Sequence, residues 1–207
     1  MRSFIFIIIL SFLSNSFAQT KFKIKTIETK DGKYKYYIID EKQNILKQLD
    51  SAKYIIQLDY DDDYKYFAVF SLRSEKGYCA IDINENILFK VYNTSDGELS
   101  PDYLIENKIR IVDENNKIGF ANDMGKIIIK PQFEIATSFH KGKAIIGENC
   151  EKIPWNLHAK ENDCHHYSTV CKRTGYINKK GEILEIGNYT FEQIQKKIKW
   201  KSNCNQQ

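Results

Sequence analysis

The sequence lacks the short signatures that mark common hydrolase and nucleotide-binding sites. Its 207 residues contain no Gly-x-Ser-x-Gly elbow, no phosphate-cradling glycine loop and no His-Glu-x-x-His. These absences exclude the serine hydrolases, P-loop enzymes and zinc proteases that such motifs define. Carboxylates are numerous, but no spacing brings two together as a glycosidase pair. We therefore assign no catalytic, cofactor-binding or metal-binding residue.

Proline is scarce and neither charge sign dominates. The chain has only 3 prolines, with 31 basic and 27 acidic residues. This balance predicts neither a nucleic-acid partner nor an anionic membrane partner, because both usually require a concentrated basic face. Ile, Tyr and other β-branched or aromatic residues occur in short runs, which favours strands over helices.

The one apolar run near the N-terminus, Phe4 to Leu13, is shorter than the ~20 residues of a spanning helix. It follows Met1 and Arg2 and precedes a small-x-small site at residues 16–18, an order typical of a secretory signal peptide. We expect cleavage after Ala18 and a secreted or periplasmic protein without a membrane span.

The five cysteines are unevenly placed. Cys79 stands alone in an apolar strand, where we interpret it as a buried free thiol. Candidate disulfide residues in the last third are Cys150, Cys164, Cys171 and Cys204. They allow two bridges in any of three connectivities. Zinc is the weaker interpretation, because Cys164-His165-His166 does not have the ligand spacing of a structural zinc site.

One pattern recurs four times along the chain. Two apolar residues, an Asp or Asn, a short turn and then an Ile-Leu or Ile-Ile pair follow one another. The Asp or Asn markers are Asp40, Asp82, Asn122 and Asn178, separated by 42, 40 and 56 residues. The turn chemistry predicts a hairpin at each marker, and Pro131 should end ladder pairing in the third copy. Near-equal steps followed by a longer one indicate four repeats with an insertion in the last interval.

The third copy has further ordered features. Residues 116–120 read Asn-Lys-Ile-Gly-Phe, residues 125–133 combine a glycine turn, an Ile run and Pro-x-Phe, and residues 139–144 add an aromatic, Gly and Ala. This order resembles a WG (KWG) repeat, and residues 172–183 give a second match. Ile118 and Thr174 stand where that family has its Trp. The resemblance implies β-hairpin units stacked side by side and no catalytic residue.

We therefore predict an all-β fold in which antiparallel β-hairpin repeats form a curved or propeller-like array. A single domain should span residues 19–207, with a Cys-containing insertion at 150–171. Residues 190–200 form the one predicted helix, because Thr190 is a good N-cap, Gln193 completes a capping box, and the apolar residues share a face. Such a helix should cover the open end of the array.

The insertion is the most distinctive predicted surface. Its candidate interaction residues are Trp155, His158, His165, His166 and Tyr167. Exposed aromatic residues can anchor a partner, but they can equally fill a small core around the disulfides.

Two other polar groups have simpler interpretations. Residues 59–64 alternate Asp as a calcium loop does, but lack its Gly and Glu, so a solvated turn is the better interpretation. His140 is interpreted as a partly exposed turn residue.

The sequence predicts a non-enzymatic scaffold that binds an unidentified protein or envelope ligand. The alternatives are an envelope hydrolase with a site assembled from scattered carboxylates and histidines, and a purely structural surface protein.

Overall fold

The structure, a computed structural model, describes residues 20–57, 63, 65–94, 100–154 and 167–202. In these ranges the chain forms antiparallel strands followed by one short helix, which confirms the predicted fold class. The elements are β1 (Lys23–Glu28), β2 (Tyr34–Ile39), β3 (Ile45–Gln48), β4 (Tyr54–Gln57), β5 (Ala68–Leu72), β6 (Tyr78–Ile81), β7 (Ile87–Val91), β8 (Lys108–Val112), β9 (Ile118–Asn122), β10 (Ile127–Phe133), β11 (Ile135–Ala136), β12 (Lys143–Pro154), β13 (Tyr167–Asn178), β14 (Ile183–Gly187) and α1 (Phe191–Ile198).

The strands form three open sheets in which every strand pairs with its neighbour in the chain. The first sheet is β1-β2-β3, the second runs from β4 to β10, and the third is β11-β12-β13-β14. Four three-stranded units can be recognised in them. Unit 1 is β1–β3, unit 2 is β5–β7, unit 3 is β8–β10 and unit 4 is β12–β14. Each of the four sequence markers lies at the turn between the second and third strand of one unit.

The middle strands of units 2 and 3 each pack against two different neighbours. In unit 2, Cys79 and Ile81 belong to a cluster shared with unit 1, whereas Tyr78 and Ala80 belong to a cluster shared with unit 3. Because side chains alternate between the faces of a strand, the residues one and three positions before the marker face the preceding unit. Those two and four positions before it face the following unit. A single three-stranded unit is too small to be stable alone, so the core lies between units.

The same alternation continues in units 3 and 4. Ala121 packs toward unit 2, and Ile118 and Phe120 pack toward unit 4. On unit 4, Ile177 faces unit 3, and Tyr176 packs against the helix. The position of the family's Trp is buried in every unit and is occupied by Tyr36, Tyr78, Ile118 and Thr174.

The marker residues hold the turns directly. Oδ1 of Asp82 accepts hydrogen bonds of 2.8 Å from the backbone N–H groups of both Asn84 and Asn86. Glu85 then has a positive φ of 67°, and its N–H donates to the Asp82 carbonyl. The same bonds form at Asp40, Asn122 and Asn178. An Asp or Asn is required because its short side chain reaches the N–H groups two and four residues ahead.

A close backbone approach explains the glycine that follows the Trp position in units 3 and 4. A Cβ added to Gly119 would lie 2.5 Å from both the carbonyl oxygen of Ile129 and the nitrogen of Pro131. At Gly175 an added Cβ would lie 2.0 Å from the carbonyl oxygen of Glu185. Any larger residue would therefore push the third strand away from the middle strand.

The prediction that Pro131 ends ladder pairing was wrong. β10 continues past the proline, and Phe133 still pairs with Ile118. Pro131 instead lies in an irregularity of the ladder between Ile129 and Phe133, where no N–H has to be donated.

The helix begins with the predicted cap. Thr190 accepts a hydrogen bond from the N–H of Gln193, whose side chain accepts one from the Thr190 N–H. Ile194 is fully buried against Ile145 of unit 4 and Trp200, and Nε1 of Trp200 donates to the carbonyl of Ser138 at 2.9 Å. The helix therefore covers the face of unit 4 that a following unit would otherwise occupy.

Candidate interaction surface

The predicted interaction loop lies almost wholly outside the described residues. Trp155, His158, His165 and His166 are not described, whereas Tyr167 opens β13 and is exposed, opposite Pro154. Pairing of β12 with β13 continues from Lys143 to this point. Residues 150–154 and 167–171 of the predicted insertion therefore form part of a two-stranded arm.

The disulfide that crosses this arm joins two of the four candidate cysteines. Cys150 and Cys171 are directly opposed in the ladder and are bonded. Cys79 is buried with a free thiol, and burial raises its pKa. Cys164 and Cys204 lie outside the described residues, and they remain the candidates for the second predicted bridge.

Two minor candidates are only partly visible. Of residues 59–64, only Asp63 is described, and it is exposed. His140 is half-buried in a tight turn, and its buried Nε2 has no hydrogen-bond partner in the described part of the chain. Within the described ranges no group of three or more His, Cys, Asp or Glu could hold a metal ion, and no helix is long and apolar enough to span a membrane.

Charged side chains at the core margins join neighbouring units. Glu85, at the positive-φ position of its turn, forms an ion pair with Lys47 of unit 1 and accepts a 2.6 Å hydrogen bond from the Tyr54 hydroxyl. Burial favours the neutral acid, but these hydrogen bonds outweigh it and hold the pKa of Glu85 below its ordinary value. The pKa of Tyr54 is raised, first by burial and then by the Glu85 carboxylate.

A second ion pair fixes the segment that leads into unit 3. Asp102 is buried and accepts from Arg110 through Nε at 3.0 Å, Nη2 at 2.7 Å and the backbone N–H at 2.8 Å. Nη1 of Arg110 reaches the Ala136 carbonyl at 3.2 Å, and the guanidinium lies over the Tyr92 ring. Because Asp102 and Ala136 already receive these donors, we assign the pair to structure.

A further set of residues repeats in every unit without being buried. The apolar pair that follows each turn is Ile45-Leu46, Ile87-Leu88, Ile127-Ile128 and Ile183-Leu184, which we call the apolar row. Seven of these eight side chains are exposed, and Leu88 is half-buried. Solvent-facing strand positions are usually polar, so a fourfold exposed apolar pair is unexpected.

The backbone gives each pair the same setting. The first residue pairs with the one before the marker, as Ile45 with Ile39 and Ile183 with Ile177. The second is skipped by the ladder, because Lys47 and Glu185 resume the pairing. Units 2 and 3 show the same shift at Leu88 and Ile128. A β-bulge therefore lies at the second residue of every pair, and in units 1, 3 and 4 that residue is exposed, whereas Leu88 of unit 2 packs against a core cluster.

Contacts between units place a turn beside the pair of the preceding unit at two of the three junctions. Glu85, in the turn of unit 2, is bonded to Lys47, which immediately follows the pair of unit 1. In the turn of unit 4, a Cβ on Gly181 would lie 3.0 Å from Cγ2 of Ile129, which immediately follows the pair of unit 3. The turns of units 2 and 4 therefore lie beside the third strand of the preceding unit.

Sequence reasoning found the apolar pairs as repeat markers but missed that they are exposed. Their exposure depends on the bulge, which no residue type in the pairs signals. It also missed the fifth turn of this kind, at Asp113, whose Oδ1 accepts from the N–H groups of Asn115 and Lys117. Asp-x-Asn-Asn is a visible signal there, but no Ile pair follows it.

Comparison with known proteins bears on the same part of the chain. The family model described as WG containing repeat matches residues 118–149. This stretch spans β9, β10 and β11 and enters β12, and it includes Gly119, Pro131 and the Ile127-Ile128 pair. No curated protein and no solved structure matches the chain. The chain therefore contains a WG repeat at residues 118–149, as the resemblance of this stretch predicts.

Proposed function

We propose that the protein is a non-enzymatic scaffold, secreted or periplasmic, that binds a protein or another envelope ligand through the apolar row. The observation that carries the proposal is the recurrence of an Ile-Leu or Ile-Ile pair in all four units, with seven of the eight side chains exposed. Similar apolar contacts in successive units suit a ligand that engages several units at once.

The chemistry of the row also favours binding over a role in the fold. Exposed apolar side chains contribute little to the core, whereas contiguous exposed apolar surface is typical of interaction sites. The charged groups described above are held in structural contacts instead: Asp82 in its turn, Glu85 between units 1 and 2, and Asp102 with Arg110.

Site-specific photo-crosslinking tests the proposal. A photoreactive amino acid replaces Leu46, Ile128 or Leu184 in the native host, and exposed Lys130 or Gln132 on the strand of Ile128 provides matched controls. Adducts of the same mass from at least two row positions, absent from the controls, would support the scaffold. Equal labelling at row and control positions would count against it.

Two further measurements separate the parts of the proposal. Replacing residues 155–166 by a two-residue turn should leave the row adducts intact, since loss of the adducts would assign binding to the loop. Cell fractionation and N-terminal sequencing should find the protein outside the cytoplasm, beginning at Gln19. A bound molecule recovered in chemically altered form would contradict the non-enzymatic assignment.

A further inference from the structure

The two ends of the array differ in what covers them. At unit 4, the helix packs on the face that a following unit would occupy. In units 2 to 4, one face of the middle strand points toward the preceding unit. The corresponding face of unit 1 has no preceding unit in the described chain. We call this surface the leading face of unit 1.

Register defines the residues of the leading face. Tyr37 and Ile39 lie three and one positions before the marker Asp40, so they correspond to Cys79 and Ile81 of unit 2, which pack against unit 1. The residues of β1 and β3 that pair directly with Tyr37 and Ile39 lie on the same face. The Ile27↔Lys35 pair lies there too, because Lys35 is two residues from Tyr37 on the same strand. The leading face comprises Lys23, Lys25, Ile27, Lys35, Tyr37, Ile39, Ile45 and Gln48.

The first strand of unit 1 differs in composition from the first strands of the other three units. In each unit, two residues of the first strand pair with the middle-strand residues one and three positions before the marker. They are Ala68 and Phe70 in unit 2, Ile109 and Ile111 in unit 3, and Ala144 and Ile146 in unit 4. All six are buried. In unit 1 the same two positions are Lys23 and Lys25.

The face is both basic and apolar. Ile39 at its centre is buried, whereas Lys25, Ile27, Lys35 and Ile45 are exposed. Within the three strands of unit 1, no residue of the leading face is acidic. Three lysines interleaved with Ile and Tyr match a surface that interleaves carboxylates with apolar side chains.

We propose that the leading face of unit 1 docks an acidic protein partner, whose carboxylates pair with Lys25 and Lys35 and whose apolar residues cover Ile27, Tyr37 and Ile45. Charge selects this occupant over a second copy of the chain. Two leading faces brought together would oppose the exposed Lys25 and Lys35 of one copy to those of the other, and like charges across an interface are repulsive. The leading face shares only Ile45 with the apolar row. The substitutions that test it, at Lys25 and Lys35, lie outside the row, so failure of this proposal can be distinguished from failure of the proposed function.

The binding test uses a fluorescent 12-residue peptide of alternating Glu and Val, with a peptide of alternating Lys and Val as control. The mature chain should bind the acidic peptide and not the basic one, and the affinity should fall with added salt. The Lys25→Glu/Lys35→Glu variant should lose about tenfold in affinity for the acidic peptide and gain affinity for the basic one, since attractive pairs become repulsive.

The matched control is Lys126→Glu/Lys130→Glu, which makes the same change in net charge at exposed positions of unit 3. Its affinity should stay within about twofold of wild type. All four lysines are exposed, so thermal melting should show that both variants fold.

Three results would overturn the proposal. Equal loss of affinity in the two charge-reversal variants would reduce the effect to net charge. If the acidic peptide did not bind, the lysines would serve only to make this end of the array polar. Binding of the chain to phosphatidylglycerol vesicles, but not to the peptide, would assign the face to a lipid surface.

Discussion

The Tyr54 hydroxyl donates a 2.6 Å hydrogen bond to Oε2 of Glu85, and the same carboxylate is bonded to Lys47. One side chain in a turn thus connects the third strand of unit 1 with β4 beside unit 2. Because units in a repeat array contact only their neighbours, the strength of such contacts decides whether the array unfolds as one body.

Protonation of Glu85 should weaken this connection. The pKa of Glu85 in the folded protein lies below its ordinary value of 4.5. Its contribution to stability is therefore complete above about pH 4.5 and is lost as the pH falls through the folded-state pKa. Glu85→Gln should cost about 1–2 kcal/mol of unfolding free energy at pH 7, measured by urea denaturation. The difference from wild type should shrink at pH 3, and a constant difference from pH 7 to pH 3 would contradict this role.

Substitution of the paired glycines should be strongly destabilising. Gly119→Ala or Gly175→Ala would bring a Cβ against the backbone of the third strand, so we expect a loss of about 2–3 kcal/mol. Gly32→Asn is the control, because Gly32 has a φ of +74° and open space around its Cβ position, and Asn tolerates that conformation. Chemical denaturation measures all three variants, and equal losses would show that the close approach is unimportant.

The marker residues should tolerate exchange between Asp and Asn but not truncation. Asp82→Ala leaves the N–H groups of Asn84 and Asn86 without their acceptor, and should cost about 1–2 kcal/mol. Asp82→Asn keeps Oδ1 and should change stability by less than about 0.5 kcal/mol, since Asn already fills this position at Asn122 and Asn178. Melting temperatures of the two variants test the difference, and similar losses would refute it.

Loss of the disulfide should destabilise the arm of unit 4. The bond closes a loop with a sequence separation of 21 residues, for which chain entropy predicts about 3 kcal/mol. The Cys150→Ser/Cys171→Ser variant should melt at a lower temperature than wild type, and reductant should lower the wild-type melting temperature similarly. A further fall when reductant is added to the variant would reveal a second bridge between Cys164 and Cys204, which non-reducing peptide mapping would confirm.

Removal of the helix should expose the end of the array. Deleting residues 190–207 uncovers Ile145 and Tyr176, so we expect a lower melting temperature and reduced solubility. Deleting only residues 205–207 keeps the helix, Trp200 and Cys204 in the chain and should have little effect. Light scattering and calorimetry of the two truncations provide the comparison. Unchanged behaviour of the longer deletion would contradict the capping role.

The sequence predicts what depends on short-range chemistry. The turns at Asp40, Asp82, Asn122 and Asn178 form where predicted, because each is held by a side chain that reaches only four residues ahead. The cap at Thr190 forms for the same reason. Gly119 was identified through its resemblance to a family, although the physical cause, the backbone crossing above it, appears only in three dimensions.

Features that depend on packing between units were not predictable. Glu85 meets Lys47 because the turn of unit 2 lies over the third strand of unit 1, and nothing near Glu85 in the chain indicates that contact. Asp102 and Arg110 are common surface residue types, and nothing in the sequence indicates that Asp102 is buried or that Arg110 also reaches Ala136 of β11. The apolar row was visible as a pattern, but its exposure follows from a bulge.

The division of each middle strand between two neighbours has a consequence for how this chain can change its length. Deleting one residue within β9, for instance Phe120, would turn the side chains on one side of the gap to the opposite face of the strand. Side chains that now pack against unit 2 would then face unit 4, and those that pack against unit 4 would face unit 2. Loss or gain of residues in pairs preserves the assignment. We therefore expect length differences among relatives of this chain to fall in the turns, or to occur as even steps or whole units.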